Sequence, residues 1–160
     1  VPIEGVEETD EEGKSRSNRD EAAKVLGVVD DLLAIGDLQP HDIGVISPYN
    51  GQVRELARLF DMAGGREPGQ PYAGLEIKSV DGYQGREKEV IVFSTVRANE
   101  RGEVGFLADY RRLNVAITRA KRGLILLGHP TTLRHDGTWR SYLDWVDEHQ
   151  LFAWHVTHSS

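Results

Sequence analysis

Four short apolar runs limit what this chain can become more than any other feature. Residues 43–47, 75–80, 89–96 and 123–127 are rich in Val, Ile, Leu and Phe, and turn or polar residues bound each run. Runs of this length suit buried strands. Between them, apolar residues recur at helical spacing: Ala22, Val25, Leu26, Val29, Leu32 and Leu33; then Val53, Leu56, Phe60 and Ala63; then Leu113, Ala116, Ile117 and Ala120. Strands that are apolar on both faces and alternate with helices imply a parallel sheet covered on both sides. The expected class is therefore α/β, three layers around a mainly parallel sheet.

The punctuation agrees. Asn18 with Glu21 three residues on resembles a capping box at the start of the first helix, and Gly36 stops it. Residues 48–51 read as a turn, Gly64-Gly65 ends the second helix, and Asp109 caps a third that runs through residue 121. Residues 139–149 form a closing helix. Residues 1–6 carry only weak strand alternation. Residues 7–17 are polar and read as a mobile surface loop, residues 98–108 as another loop, and residues 153–160 as a frayed tail. No linker divides the chain, so residues 1–160 read as one domain. In open α/β sheets ligands sit outside the carboxyl ends of the strands. Residues 47–52, 81–88, 97–99 and 128–131 are thus expected on one rim.

Composition excludes several classes. Apolar residues make up 39% and charged residues 28%, a globular balance, and no apolar run is long enough to span a bilayer. Without cysteine there are no disulfides or thiolate metal sites, and an intracellular location is the default. The formal charge of −7 argues against a nucleic-acid partner until its distribution is read. Six carboxylates fall within the first twelve residues, whereas residues 78–122 hold ten Lys/Arg against six Asp/Glu, a local +4. Gly13-Lys14-Ser15 imitates the end of a phosphate-binding loop, but the glycine required five positions earlier is Glu8. The chain therefore lacks a nucleotide cradle of its own. The histidines show no metal-like spacing, so no metal site is expected.

Three segments carry the chemistry. They are Ile46-Ser47-Pro48-Tyr49-Asn50-Gly51-Gln52, then Ser79-Val80-Asp81-Gly82-Tyr83-Gln84-Gly85-Arg86-Glu87-Lys88-Glu89, then Arg112-Leu113-Asn114-Val115-Ala116-Ile117-Thr118-Arg119-Ala120-Lys121. In that order they closely resemble the motifs of the second RecA-like domain in superfamily 1 helicases, nearest to the up-frameshift-like branch. The similarity runs from about Ser17 to about Phe152. It implies a RecA-like fold, ATP with Mg²⁺ as cofactor, single-stranded DNA or RNA as substrate, and a first RecA-like domain of the same polypeptide as partner. That domain would hold most of the triphosphate and the metal.

Roles follow from the resemblance, residue by residue. Arg119 is similar to the arginine finger, whose planar permanent charge suits the charge developing on a transferred γ-phosphate. Arg112, seven residues earlier, lies on the same side of the helix about 10 Å along its axis, and joins the nucleotide side. Glu87 would accept a ribose hydroxyl, and Gly85 would let a bare backbone N–H approach a phosphate. Gln84 would bind phosphate or brace its turn. Ser47, Pro48, Tyr49, Asn50, Ser79, Val80 and Asp81 at two strand ends would hold the nucleic-acid backbone without reading bases, as a sequence-tolerant motor requires. Arg97, with Asn99 beside it, would bind there or brace the loop. Tyr49 would stack a base or anchor the core. Trp139, Trp145 and Trp154 read as packing residues, and His155 and His158 fall in the tail. The expected function is the C-terminal motor domain of a helicase, inactive alone. The rival is a non-catalytic nucleic-acid-binding or protein-interaction module that kept the fold, a reading that leaves Arg119 and Glu87 together without a purpose.

Overall fold

The computed structural model describes residues 1–10, 13, 15–83 and 87–150. A short antiparallel pair, β1 (Glu8–Thr9) with β2 (Arg16–Ser17), precedes α1 (Arg19–Ala34), β3 (Ile43–Ser47), α2 (Asn50–Met62), β4 (Glu76–Ser79) and β5 (Lys88–Ser94). Then come α3 (Tyr110–Arg119), β6 (Ala120–Leu127), α4 (Pro130–Leu133) and α5 (Gly137–Glu148). Strands β3 to β6 make one parallel sheet in the order β4-β3-β5-β6. The expected α/β class, with helices on both faces of a parallel sheet, is what the structure shows. Residue alternation along β5 separates the two cores. Val90 and Val92 pack with Val25, Val29, Leu56 and Phe60 of α1 and α2. Ile91 and Phe93 pack with Leu113 and Ala116 of α3 and with Trp139 and Leu143 of α5. Fully burying such a side chain contributes about 1.5–3 kcal/mol. Phe60, Phe93 and Trp139, all fully buried, therefore anchor the layers. Among the described residues no helix is long and apolar enough to cross a membrane.

The helix starts show where long-range contacts override local signals. Asn18 caps α1 by accepting the Glu21 N–H at 3.0 Å. The reciprocal half of the expected capping box is absent. Asn18 N–H donates instead to Gln52 Oε1 at 2.9 Å, and the Glu21 carboxyl turns inward. There its Oε1 accepts from Ser94 Oγ at 2.6 Å and from Val96 N–H at 2.9 Å. The expected turn over residues 48–51 is shorter, because α2 already begins at Asn50. Gly51 is needed at that start: a Cβ on it would lie 2.7 Å from the Arg16 carbonyl oxygen. The third helix ends at Arg119 rather than 121, since pairing of Ala120 with Lys88 draws the next residues into β6.

Glu21 is fully buried. Burial pushes its carboxyl up, and the hydrogen bonds from Ser94 and the backbone of Val96 pull it back, leaving it at about 7. Between its ordinary value of 4.5 and 7 the folded chain keeps a proton that the unfolded chain has released. Folding stability should therefore fall as pH rises through that window, by about 1.4 kcal/mol per unit, and level off above it. Urea denaturation at pH 5 and pH 8 measures this. Glu21→Gln should flatten the fall, and an equal fall in that variant would assign it to another group.

The direction of the strands sets the positions of the motifs. The row Ser79, Ser47, Ser94, Leu127 marks the carboxyl rim of the sheet. Lys88 paired with Ala120 marks the amino rim. Because β4 and β5 are both parallel to β3, the segment joining them must travel from the first rim to the second. It crosses the α3 face: Val80 and Tyr83 are buried in that core, and a Cβ on Gly44, near the amino end of β3, would lie 3.2 Å from the Tyr83 hydroxyl. The expectation that residues 81–88 all share the carboxyl rim is therefore corrected. Only the start of the segment lies there, and Glu87 abuts the opposite edge.

Candidate functional site

At the amino rim, Arg119 ends α3 and is followed at once by Ala120. Strand pairing brings its backbone near that of Glu87, because each immediately precedes one member of the Lys88–Ala120 pair. The Arg119 Nε is buried and has no hydrogen-bond partner, and the side chain makes no ion pair among the described residues. A buried donor left unsatisfied costs about 1–3 kcal/mol, a cost that the Nε of Arg112 also carries. Glu87 is exposed. Its neighbours are already engaged: Lys88 Nζ donates to the His41 carbonyl at 2.8 Å, and Glu89 pairs with Arg122 at 2.8 Å. Gln84 and Gly85 lie outside the described residues.

Arg112 is at the other end of α3. Its guanidinium donates to the Phe106 carbonyl at 3.0 Å and to Asp81 Oδ2 at 3.2 Å, and lies 5.3 Å from the Phe106 ring centroid. It thus ties the turn after β4 to the start of α3 and does not share the amino rim with Arg119.

The carboxyl rim gathers the strand ends. Ser47, Pro48 and Tyr49 are buried, while Asn50 is exposed. Ser47 Oγ accepts the Tyr49 N–H at 3.3 Å. Tyr49 is a core anchor: its hydroxyl donates to the Val104 carbonyl at 3.2 Å and accepts from Arg97 at 3.1 Å and from Phe106 N–H at 3.3 Å. At the end of β4, Ser79 Oγ accepts the Gly82 N–H at 3.0 Å, Val80 is buried and Asp81 is exposed. Asn50, Ser79 and Asp81 are the strand-end residues with side chains open to solvent. The others shape the backbone.

Arg97 is 3% exposed. Its Nε donates to both Glu7 oxygens at 3.1 Å, and its guanidinium carbon lies 5.8 Å over the Tyr49 ring. Glu7 also accepts from Asn99 Nδ2 at 2.6 Å, Ala98 N–H at 3.0 Å and Arg16 at 2.9 Å. Burial pushes the Glu7 carboxyl up, but hydrogen bonds from Asn99 and Arg97, the Arg97 charge and the Ala98 N–H outweigh it and hold it below the usual carboxylate range. Gly105 makes room, with φ 53° where a Cβ would collide with the Arg97 guanidinium. The segment read as a surface loop therefore contains a strand pair and a nearly buried anion. Its counter-charge arrives from a distant strand end, which no local pattern shows.

Three functional candidates escaped the sequence reading. Glu7 was hidden in an acidic run, and Glu21 behind its capping signal. Phe106 is 51% exposed on the carboxyl rim and stacks on Tyr49 at 5.3 Å between centroids and 27° between planes. Its signal was an aromatic residue after glycine in an otherwise polar loop.

Comparison with known proteins bears on the family. Residues 1–131 match the family described as AAA domain. The chain is 42% identical over 93% of its length to the regulator of nonsense transcripts 1 homolog of Drosophila melanogaster, covering 12% of that protein. It is 43% identical over 87% of its length to the ATP-dependent helicase NAM7 of Saccharomyces cerevisiae, covering 14% of it. An uncharacterized ATP-dependent helicase of Methanocaldococcus jannaschii is 42% identical over 91% of this chain, which covers 20% of that protein. The chain thus spans a fifth or less of these relatives. A parallel α/β fold, three motifs in order and these matches lead to one assignment: the chain belongs to the AAA domain family, as a superfamily 1 helicase domain of the up-frameshift-like branch.

Proposed function

We propose that this chain is the second RecA-like half of an ATP-driven motor that moves along single-stranded DNA or RNA. The observation that carries the reading is Arg119, an arginine with a buried, unpartnered Nε and a backbone near that of the exposed Glu87, at one rim of the sheet. In this reading a first RecA-like domain holds ATP and Mg²⁺ in the cleft between the two domains. This chain contributes cationic and hydrogen-bonding groups. Arg119 neutralises charge that builds on the γ-phosphate during transfer, and Glu87 accepts from the ribose. Gln84 and Gly85 would complete the phosphate contacts. On the opposite rim, Asn50, Ser79 and Asp81 hold the strand, and Phe106 offers a ring for a base. Arg97 and Arg112 keep these turns in place. Because the two functions occupy opposite rims, closure of the ATP cleft would shift the grip as a rigid unit. The reading places the protein inside the cell, with ATP and nucleic acid.

The 160-residue chain with ATP and Mg²⁺ should release no phosphate above buffer, because it has no phosphate-binding loop. Turnover abolished by replacing Gly13 or Lys14 would overturn this. The chain should bind a single strand weakly and with little base preference. Its affinity should fall steeply between 50 and 200 mM salt, roughly 300-fold were six phosphates held and less for fewer. Fluorescence anisotropy measures this, and sequence-specific binding that ignores salt would instead identify a recognition module.

A further inference from the structure

Val96 is a β-branched residue at φ 71°, a conformation that L side chains rarely adopt and that persists only when its surroundings enforce it. Two side chains of the α1 start do so. The Val96 N–H donates to Glu21 Oε1 at 2.9 Å, and the Val96 carbonyl accepts from Asn18 Nδ2 at 3.1 Å. The turn so made delivers Arg97 to Tyr49, whose hydroxyl it meets at 3.1 Å. A second arm starts from the same carboxyl. Ser94 Oγ donates to Glu21 Oε1 and accepts from Gln52 Nε2 at 3.0 Å, in the first turn of α2. Tyr49 and Gln52 bracket Asn50, so both sides of the turn after β3 lead back to one buried group.

We propose that Glu21 is a positioning residue for the strand grip: its carboxyl holds Val96 in the left-handed conformation that sets Arg97 over Tyr49, and holds Ser94 against Gln52. It lies outside all three motif segments, and it would act through the turn without touching the nucleic acid. The inference rests on the reading of the carboxyl rim as the strand grip.

The test is a double-substitution cycle in the 160-residue chain, with a labelled mixed-sequence single-stranded DNA at low salt. Glu21→Leu should weaken binding about tenfold, as release of a strained turn predicts. Combined with Val96→Gly, the same change should cost about twofold or less, because glycine keeps a positive φ without the Glu21 contact. An equal loss in both backgrounds reports general destabilisation and overturns the proposal, as does no loss. The unmodified chain gives a second measurement that does not depend on how the variants fold. The Val96 amide, beyond the end of β5, should exchange with solvent as slowly as the Val92 amide, and fast exchange overturns the contact. An unmodified chain that binds no single strand at any salt removes the grip itself, a failure its own titration separates from a failure of Glu21.

Discussion

In the complete protein, taken as the proposed two-domain motor, Arg119→Ala should lower kcat by about 10³-fold or more, roughly 4 kcal/mol of barrier. ATP affinity should stay close to normal. In the proposed arrangement the first domain holds most of the triphosphate, and the guanidinium gains its partner only as charge develops in the transition state. The structure adds a reason for expecting little collateral damage. Arg119 forms no ion pair among the described residues, so its removal breaks no structural contact of the kind that Arg97 and Arg112 make. Arg119→Lys should recover little, since an ammonium lacks the planar fork. Steady-state ATPase with saturating single strand, beside nucleotide affinity for each variant, is the measurement. Near-normal kcat in Arg119→Ala, or a loss explained by unfolding, would return this arginine to a structural role.

Glu7→Leu should have the largest effect on stability, a loss of about 3–5 kcal/mol, because it leaves the Arg97 guanidinium buried without its anion. The two side chains are 7% and 4% exposed, so solvent screens the pair little in the folded chain. Asn99, Ala98 and Arg16 lose an acceptor in the same step. Glu7→Leu with Arg97→Met should regain much of the loss, since two apolar groups leave no buried charge. The pH dependence has the opposite sign to that of Glu21. The folded Glu7 carboxyl is held below 4.5, so its contribution is present above that value and is lost as pH falls through the lower folded value. The gap between Glu7→Leu and the unmodified chain should therefore narrow in acid. Urea denaturation across pH measures both effects, and a loss under about 1 kcal/mol at neutral pH would mean that the site relaxes or hydrates.

Much of the fold was legible because its signals are local. Helical spacing located α1, α2 and α3, and short apolar runs located β3, β5 and most of β6, since the periods of helix and strand follow directly from backbone geometry. Boundaries failed where pairing intervened. The third helix gave up residues 120 and 121 to β6, and the capping signal at Asn18 was half diverted once Gln52 approached from α2. Phe106 went unread because exposure of an aromatic in an irregular loop depends on what packs beneath it, here Tyr49.

The sequence by itself determined the α/β class and the order and identity of the three motifs, with Arg119 among them, because residue type and spacing along one chain carry that information. Only the tertiary structure decided which motif residues stand together. Parallel strands forced the segment after β4 across the sheet, separating Glu87 and Arg119 from the strand ends at Ser47 and Ser79. It also decided that Arg97 faces Glu7, 90 residues away, and that Glu21 faces Val96, 75 residues away. Such pairs are made by burial, which brings a charge or a strained peptide to its partner through space, and spacing along the sequence holds no record of that distance.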